Sequence, residues 1–172
     1  MTIDEFLAKA EIRELSGAYM RGLDRLDATL LRSVFWDDAE TDYGFFQGGP
    51  DAFVGMAMNA LKDHAANHHM LGQINLRLEG DVAFGEVYFQ AFHRVTNAGR
   101  EEDLFISGRY VDRYEKRGGA WKIAFRAEVN DWARTEPAAD VYFQRNTRSL
   151  RGGRTDDLSY HTPQRKSLSA RA

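Results

Sequence analysis

His69-Met-Leu-Gly-Gln-Ile-Asn-Leu-Arg-Leu-Glu79 is the stretch in which the chain changes its period. Ile74, Leu76 and Leu78 alternate with Gln73, Asn75, Arg77 and Glu79, a period of two that predicts a strand with one buried face. Gly80-Asp81 reads as a turn. The next strand, near Val82 to Thr96, puts Val87, Phe89, Ala91, His93 and Val95 on one face. Asn97-Ala98-Gly99 turns the chain into a strand from about Leu104 to Glu115. After Gly118-Gly119 a last strand runs from Trp121 to Trp132, with Trp121, Ile123, Phe125, Val129 and Asp131 on one face.

Upstream the period is helical. Thr2-Ile-Asp-Glu5 has the pattern of a capping box, and Ile3, Phe6, Leu7, Ala10, Ile12, Leu15, Ala18 and Tyr19 follow at helical spacing. Gly22 is expected to loosen this helix just before Asp24. Asp27 can cap a short helix carrying Leu30, Leu31, Val34 and Phe35. Asp38 to Tyr43 reads as a strand and Gly48-Gly49-Pro50 as a turn. A further helix from Pro50 or Asp51 carries Phe53, Val54, Met56, Ala57, Ala60 and Leu61. Helices first and a meander of long antiparallel strands after them make an α+β protein. A curved sheet closed by those helices would form a cone with a pocket inside. Residues 1–136 are read as this domain. Residues 137–172 are a basic extension, in which Val141, Tyr142 and Phe143 could dock. Beyond them Arg145, Arg148, Arg151, Arg154, Arg165, Lys166 and Arg171 face only Asp156 and Asp157. That end is expected to be mobile or packed on a neighbouring subunit.

Composition narrows the chemistry. Zero cysteines exclude disulfides and thiolate catalysis, and no glycine-rich phosphate loop is present. The net charge of -3 provides no overall field for nucleic acid. No apolar run is long enough to span a bilayer and no secretory signal is visible, so a cytoplasmic protein is expected. His64 and His68 have the i, i+4 spacing of metal ligands on a helix, but the glutamate of the zinc-protease pattern is missing. Neither metal nor cofactor is expected.

What remains is acid–base chemistry. Asp24 and His69 could pair, the carboxylate fixing the tautomer of the imidazole. The plainer alternative is that Asp24 caps a turn and His69 sits at a strand end. His93 on an apolar face is more often a satisfied core residue, and Tyr19 and Tyr43 are more often core phenols than proton donors. Asp131, on the face assigned to Trp121 and Val129, needs a partner or merely ends its strand.

Three blocks carry a resemblance: Gly22-Leu-Asp-Arg25, Phe35-Trp-Asp-Asp-Ala-Glu40, and His69-Met-Leu-Gly72 followed by Asn75-Leu-Arg-Leu-Glu79. In this order, across about Ile12 to Trp132, they resemble the SnoaL-like branch of the nuclear-transport-factor-2-like superfamily. That branch includes scytalone dehydratase, bile-acid dehydratases and hexachlorocyclohexane dehydrochlorinase. The resemblance implies a cone-shaped α+β barrel of a mainly antiparallel sheet around an apolar pocket. It implies a homo-oligomer, a trimer more than a dimer. It makes His69 the base and Asp24 its orienting partner, puts Tyr19 and Tyr43 at substrate-binding positions and places His93 near a further polar pocket position. Asp131, from its strand face, is counted with them as a substrate-binding candidate. The activity it implies is a cofactor-independent hydro-lyase acting on a hydrophobic, steroid- or bile-acid-like hydroxy ketone. Tyr19 and Thr41 stand where the dehydrochlorinase has a lysine and a tryptophan, which leans toward loss of water. A ketosteroid-type isomerase, a dehydrochlorinase, or a non-catalytic subunit such as a dioxygenase β subunit remain alternatives.

Overall fold

A computed structural model of the chain describes residues 1–139 and 141–161. Helix α1 (Ile3–Arg25) begins at the expected capping box. The Glu5 backbone N–H donates to Thr2 Oγ1 at 3.2 Å, and the Thr2 N–H donates to Glu5 Oε2 at 2.7 Å. It ends at Leu26, whose left-handed backbone (φ 52°) turns its N–H back onto the last carbonyls. Gly22 does not loosen the helix. A Cβ there would lie 2.8 Å from that of Leu31, so the glycine lets helix α2 (Ala28–Ser33) cross α1 closely.

Strand β1 (Phe35–Asp42) starts three residues earlier than the period suggests, because Phe35 leaves α2 and pairs with Ile123 of the last strand. A short β2 (Gln47–Gly48) and helix α3 (Pro50–Leu61) follow. Then come the four long strands: β3 (Ala66–Glu79), β4 (Val82–Asn97), β5 (Arg100–Arg117) and β6 (Ala120–Pro137). The sheet order is β2-β1-β6-β5-β4-β3, antiparallel except where β1 runs parallel to β6. The sheet curves without closing, and α1 and α3 cover its concave face.

Irregularities in β3 and β6 decide which side chains reach that face, and one extra residue in β6 is Asp131 itself, since Gly108 pairs with Asn130 and Ser107 with Trp132. Between Leu71 and Ile74 the β3 register shifts, so His69 and Leu71 point inward before the bulge and Ile74, Leu76 and Leu78 after it. Earlier in β6 the first extra residue is Ala124, since Ile123 pairs with Tyr114 and Phe125 with Arg113. Trp121 and Ile123 point inward before it; Arg126 and Glu128 do so after it. The expected face containing Phe125, Val129 and Asp131 is therefore broken at Ala124.

The core is aromatic. Phe53 stacks on Tyr43 at 4.8 Å and on Tyr19 at 6.1 Å, and Phe89 stacks on Tyr110 at 4.6 Å. The tail also departs from expectation. Val141 and Tyr142 are exposed, Phe143 is half-buried with Arg151 over its ring, and polar groups further along dock onto the end of the chain's own α1 and the cap of α2. Arg25 Nη1 donates to the Gly153 carbonyl at 2.8 Å, and the Tyr160 hydroxyl donates to Asp27 Oδ2 at 2.8 Å. Arg165, Lys166 and Arg171 lie outside the described residues.

Candidate active site

Asp24 sits in the last turn of α1 and His69 near the start of β3, and packing of the helix across the strand joins them. The Nδ1–H of His69 donates to Asp24 Oδ1 at 2.7 Å, and the His69 backbone N–H donates to the same carboxylate at 3.0 and 3.2 Å. The two side chains are only 6% and 12% exposed. With Nδ1 occupied, Nε2 is the nitrogen left to accept a proton.

His69 lines a cavity of about 160 Å³ walled by Tyr19, Tyr43, Phe89, Tyr110 and His93, with the α3 side chains Phe53 and Met56 over it. Asp24 stands behind His69 rather than in the wall. The Tyr19 and Tyr43 hydroxyls are 2.5 Å apart. Burial lifts the Tyr19 phenol to about 12, partly opposed by the Arg126 charge, and lifts Tyr43 well above the ordinary value. Both stay protonated at neutral pH. One O–H bonds the other phenol, so the pair retains one donor for a ligand oxygen.

His93 is 6% exposed, and its ring meets that of His69 edge to face at 5.0 Å. Burial, and then the neighbouring His69 and His64, push its pKa down to about 3. It is neutral in the working range and serves as a hydrogen-bonding group. The Asn67 side chain lies between His64 and His93. With its amide nitrogen turned to the rings, it is 2.9 and 3.0 Å from their Nδ1 atoms, and its oxygen accepts from Arg154 Nη1 at 3.0 Å. That orientation leaves the proton of His93 on Nε2. The same guanidinium donates to the backbone carbonyls of Asp24 (3.0 Å) and His64 (2.7 Å). A tail residue thus ties together the two segments that carry the dyad.

Beneath the phenols lies a buried ion pair. Arg126 donates from Nε to Asp112 Oδ1 at 2.8 Å and from Nη2 to Oδ2 at 2.7 Å, and Tyr114 donates to Oδ2 at 2.5 Å. Both charged side chains are fully buried. The guanidinium lies 4.1 Å from the ring centroids of Tyr19 and Tyr110, where its charge favours hydrogen-bond donation by Tyr19.

Of the six site residues expected from the sequence, five converge on this cavity and its rear wall. Asp131 does not. It is exposed on the outer side of the sheet, where Arg109 Nη1 donates to it at 2.5 Å. Nor do His64 and His68 share a helix: His64 precedes β3, and His68 points out of the sheet. The sequence reading missed Arg126, Asp112, Glu128, Asn67 and Arg154. A charged residue at Arg126 within the apolar run Ile123-Ala-Phe-Arg-Ala was the one available signal.

A curved α+β sheet with a carboxylate–imidazole pair at an apolar cavity defines a class of small pocket proteins. The chain belongs to the SnoaL-like domain family, whose model matches residues 4–127. A hexachlorocyclohexane dehydrochlorinase of Sphingobium indicum is 27% identical over 137 residues, covering 71% of this chain and 80% of that protein. The crystal structure of a hexachlorocyclohexane dehydrochlorinase superposes with a TM-score of 0.71 at 23% identity, covering 82% of this chain and 95% of the other. A scytalone dehydratase-like protein of Novosphingobium aromaticivorans also gives 0.71, at 22% identity over 81% and 94% of the two chains.

Proposed function

We propose that the protein is a cofactor-independent lyase that eliminates a leaving group β to an activated C–H bond. The observation that carries this reading is the 2.7 Å Asp24–His69 contact at the wall of an apolar cavity. His69, in its neutral form, takes the proton on Nε2, and Asp24 holds the ring and stabilises the imidazolium. The Tyr19–Tyr43 pair donates to a substrate carbonyl oxygen as enolate charge develops, where one well-placed donor contributes about 3 kcal/mol.

Cavity size bears on the substrate. A 150 Å³ engineered cavity holds benzene, whereas drug-sized ligands occupy about 300–1,000 Å³. At about 160 Å³ the site fits one ring. The cavity is open at its mouth rather than enclosed, so the remainder of a larger molecule can extend past it, and we read the substrate as a hydroxy ketone whose reacting part is no larger than one ring. The dehydrochlorinase relatives favour a second reading, loss of hydrogen chloride by the same dyad. Outside the cavity, Met70, Phe92, Phe105 and Trp132 line an apolar depression on the outer sheet face, which supports the homo-oligomer that the family resemblance implies.

Mass spectrometry of one-ring β-hydroxy and β-chloro ketones incubated with the purified protein tests the assignment. The expected result is loss of water or hydrogen chloride that falls about 10³-fold in His69→Ala. A shifted double bond at unchanged mass would move the assignment to an isomerase. A wild-type rate in His69→Ala would remove the dyad from the chemistry.

A further inference from the structure

Elimination needs a base for the C–H bond, and the leaving group sets what else it needs. Chloride departs as a stable anion. Hydroxide does not, and it leaves readily only when an acid delivers a proton to it. An acid on the wall opposite His69 therefore distinguishes a dehydratase from a dehydrochlorinase. His93 is too weak a base to carry that proton near neutrality.

Glu128 is the one carboxylate among the described residues lining the cavity. It reaches the cavity because the bulge at Ala124 turns it inward. It stands on β6 beside its pairing partner Tyr110 on β5; β4 and then β3, with His69, follow. Their backbones lie three strands apart and are offset along the strands, since Glu128 is level with Val87 of β4 through Tyr110 while His69 pairs with Ala91. Both side chains line the same cavity from its concave side. Glu128 Oε1 accepts from Asn130 Nδ2 at 3.1 Å. Oε2 has no hydrogen-bond partner among the described residues and is not fully buried. The groups facing Glu128 are Arg126 on its own strand, Tyr110 on β5, His69 on β3 and Tyr19 on α1. Burial raises its pKa, and the Asn130 bond and the Arg126 and His69 charges oppose that rise.

We propose that Glu128 is the general acid that protonates the departing hydroxyl, which makes the substrate a β-hydroxy carbonyl compound rather than a halide. This inference rests on the elimination reading above. The C–H proton passes to His69 Nε2, and its electron pair forms the C=C bond. The C–O bond breaks with its electrons on oxygen, which takes the Glu128 proton and leaves as water. The proton now on His69 returns through solvent to the Glu128 carboxylate, so the cycle closes without oxidant or reductant.

The test compares 3-hydroxycyclohexanone with 3-acetoxycyclohexanone, which both give cyclohex-2-enone, read by its ultraviolet absorbance. Acetate leaves without a proton. Glu128→Gln keeps the side chain's size and the oxygen that Asn130 bonds. The readout is the ratio of kcat on the hydroxy ketone to kcat on the acetoxy ketone, in which the fraction of folded enzyme cancels. Glu128→Gln is expected to lower this ratio about 10²-fold. An unchanged ratio overturns the role of Glu128 and leaves the elimination reading standing. No enone from the wild-type protein with either ketone overturns the elimination reading, and the role of Glu128 with it.

Discussion

Two carboxylates in this molecule are held in nearly the same way, and their partners suit them to opposite tasks. Asp24 accepts a ring N–H at 2.7 Å and a backbone N–H at 3.0 Å. Asp112 accepts two guanidinium N–H groups at 2.7 and 2.8 Å. The first pair is at a cavity wall and the second is sealed in the core. The partner makes the difference. Imidazole exchanges a proton near neutrality, so Asp24 can support a base. Guanidinium never gives up its proton, so Asp112 and Arg126 form a fixed charge pair that braces the phenols above it. Short, well-satisfied carboxylate geometry is common to both; chemistry follows from the titratability of the partner and its access to a ligand.

That contrast breaks if the two carboxylates respond alike to the same substitution. Asp24→Asn is expected to lower kcat on the order of 10³-fold, about 4 kcal/mol at the barrier, while thermal denaturation stays near wild type. Asp112→Asn should show the reverse. Removing one partner of a buried pair costs about 3 kcal/mol of stability, seen as a Tm lower by roughly 6–12 °C, with activity following the folded fraction. A stable, inactive Asp112→Asn would erase the distinction.

Arg154 sharpens the comparison, because it reaches the dyad only through the Asp24 and His64 carbonyls and Asn67. Arg154→Ala should reduce kcat about tenfold with KM little changed, since small misplacement of a catalytic group is costly. Guanidinium ion added to the assay should restore part of the rate. An equal rise in KM without rescue would reduce the tail to a structural strap.

The smallest expected effect concerns pH. His93 takes up a proton near 6.5 when unfolded but only near 3 when folded. The unfolded state therefore binds more protons between those values, and stability is lost as pH falls through that window. From pH 6.5 to 5.5 the loss is about 1 kcal/mol, or roughly 2–4 °C in Tm. His93→Gln should remove that part of the acid sensitivity; a slope identical to wild type would assign it to other groups.

Much of this was legible in the sequence. The capping box, the switch from helical to alternating period and the inward face of β4 came through because each depends on a few neighbouring residues. Asp24 and His69 were recognisable as a pair from their chemistry and from the resemblance. Arg126 and Glu128 were missed because strand parity was carried straight through Ala124, and Asp131 was misplaced for the same reason and because it is itself the extra residue of a second β6 irregularity.

The sequence by itself determined the α+β class, the acid–base inventory and the residues able to form a dyad, since residue type and local period contain that information. Only the tertiary structure decided which side of β6 faces the cavity, how much room the cavity has, and that the tail clasps the dyad from behind. A bulge is set by how two strands pair and shifts every later side chain to the other face. Cavity volume and the Arg154 contacts likewise arise between segments far apart in the chain, so no local pattern encodes them.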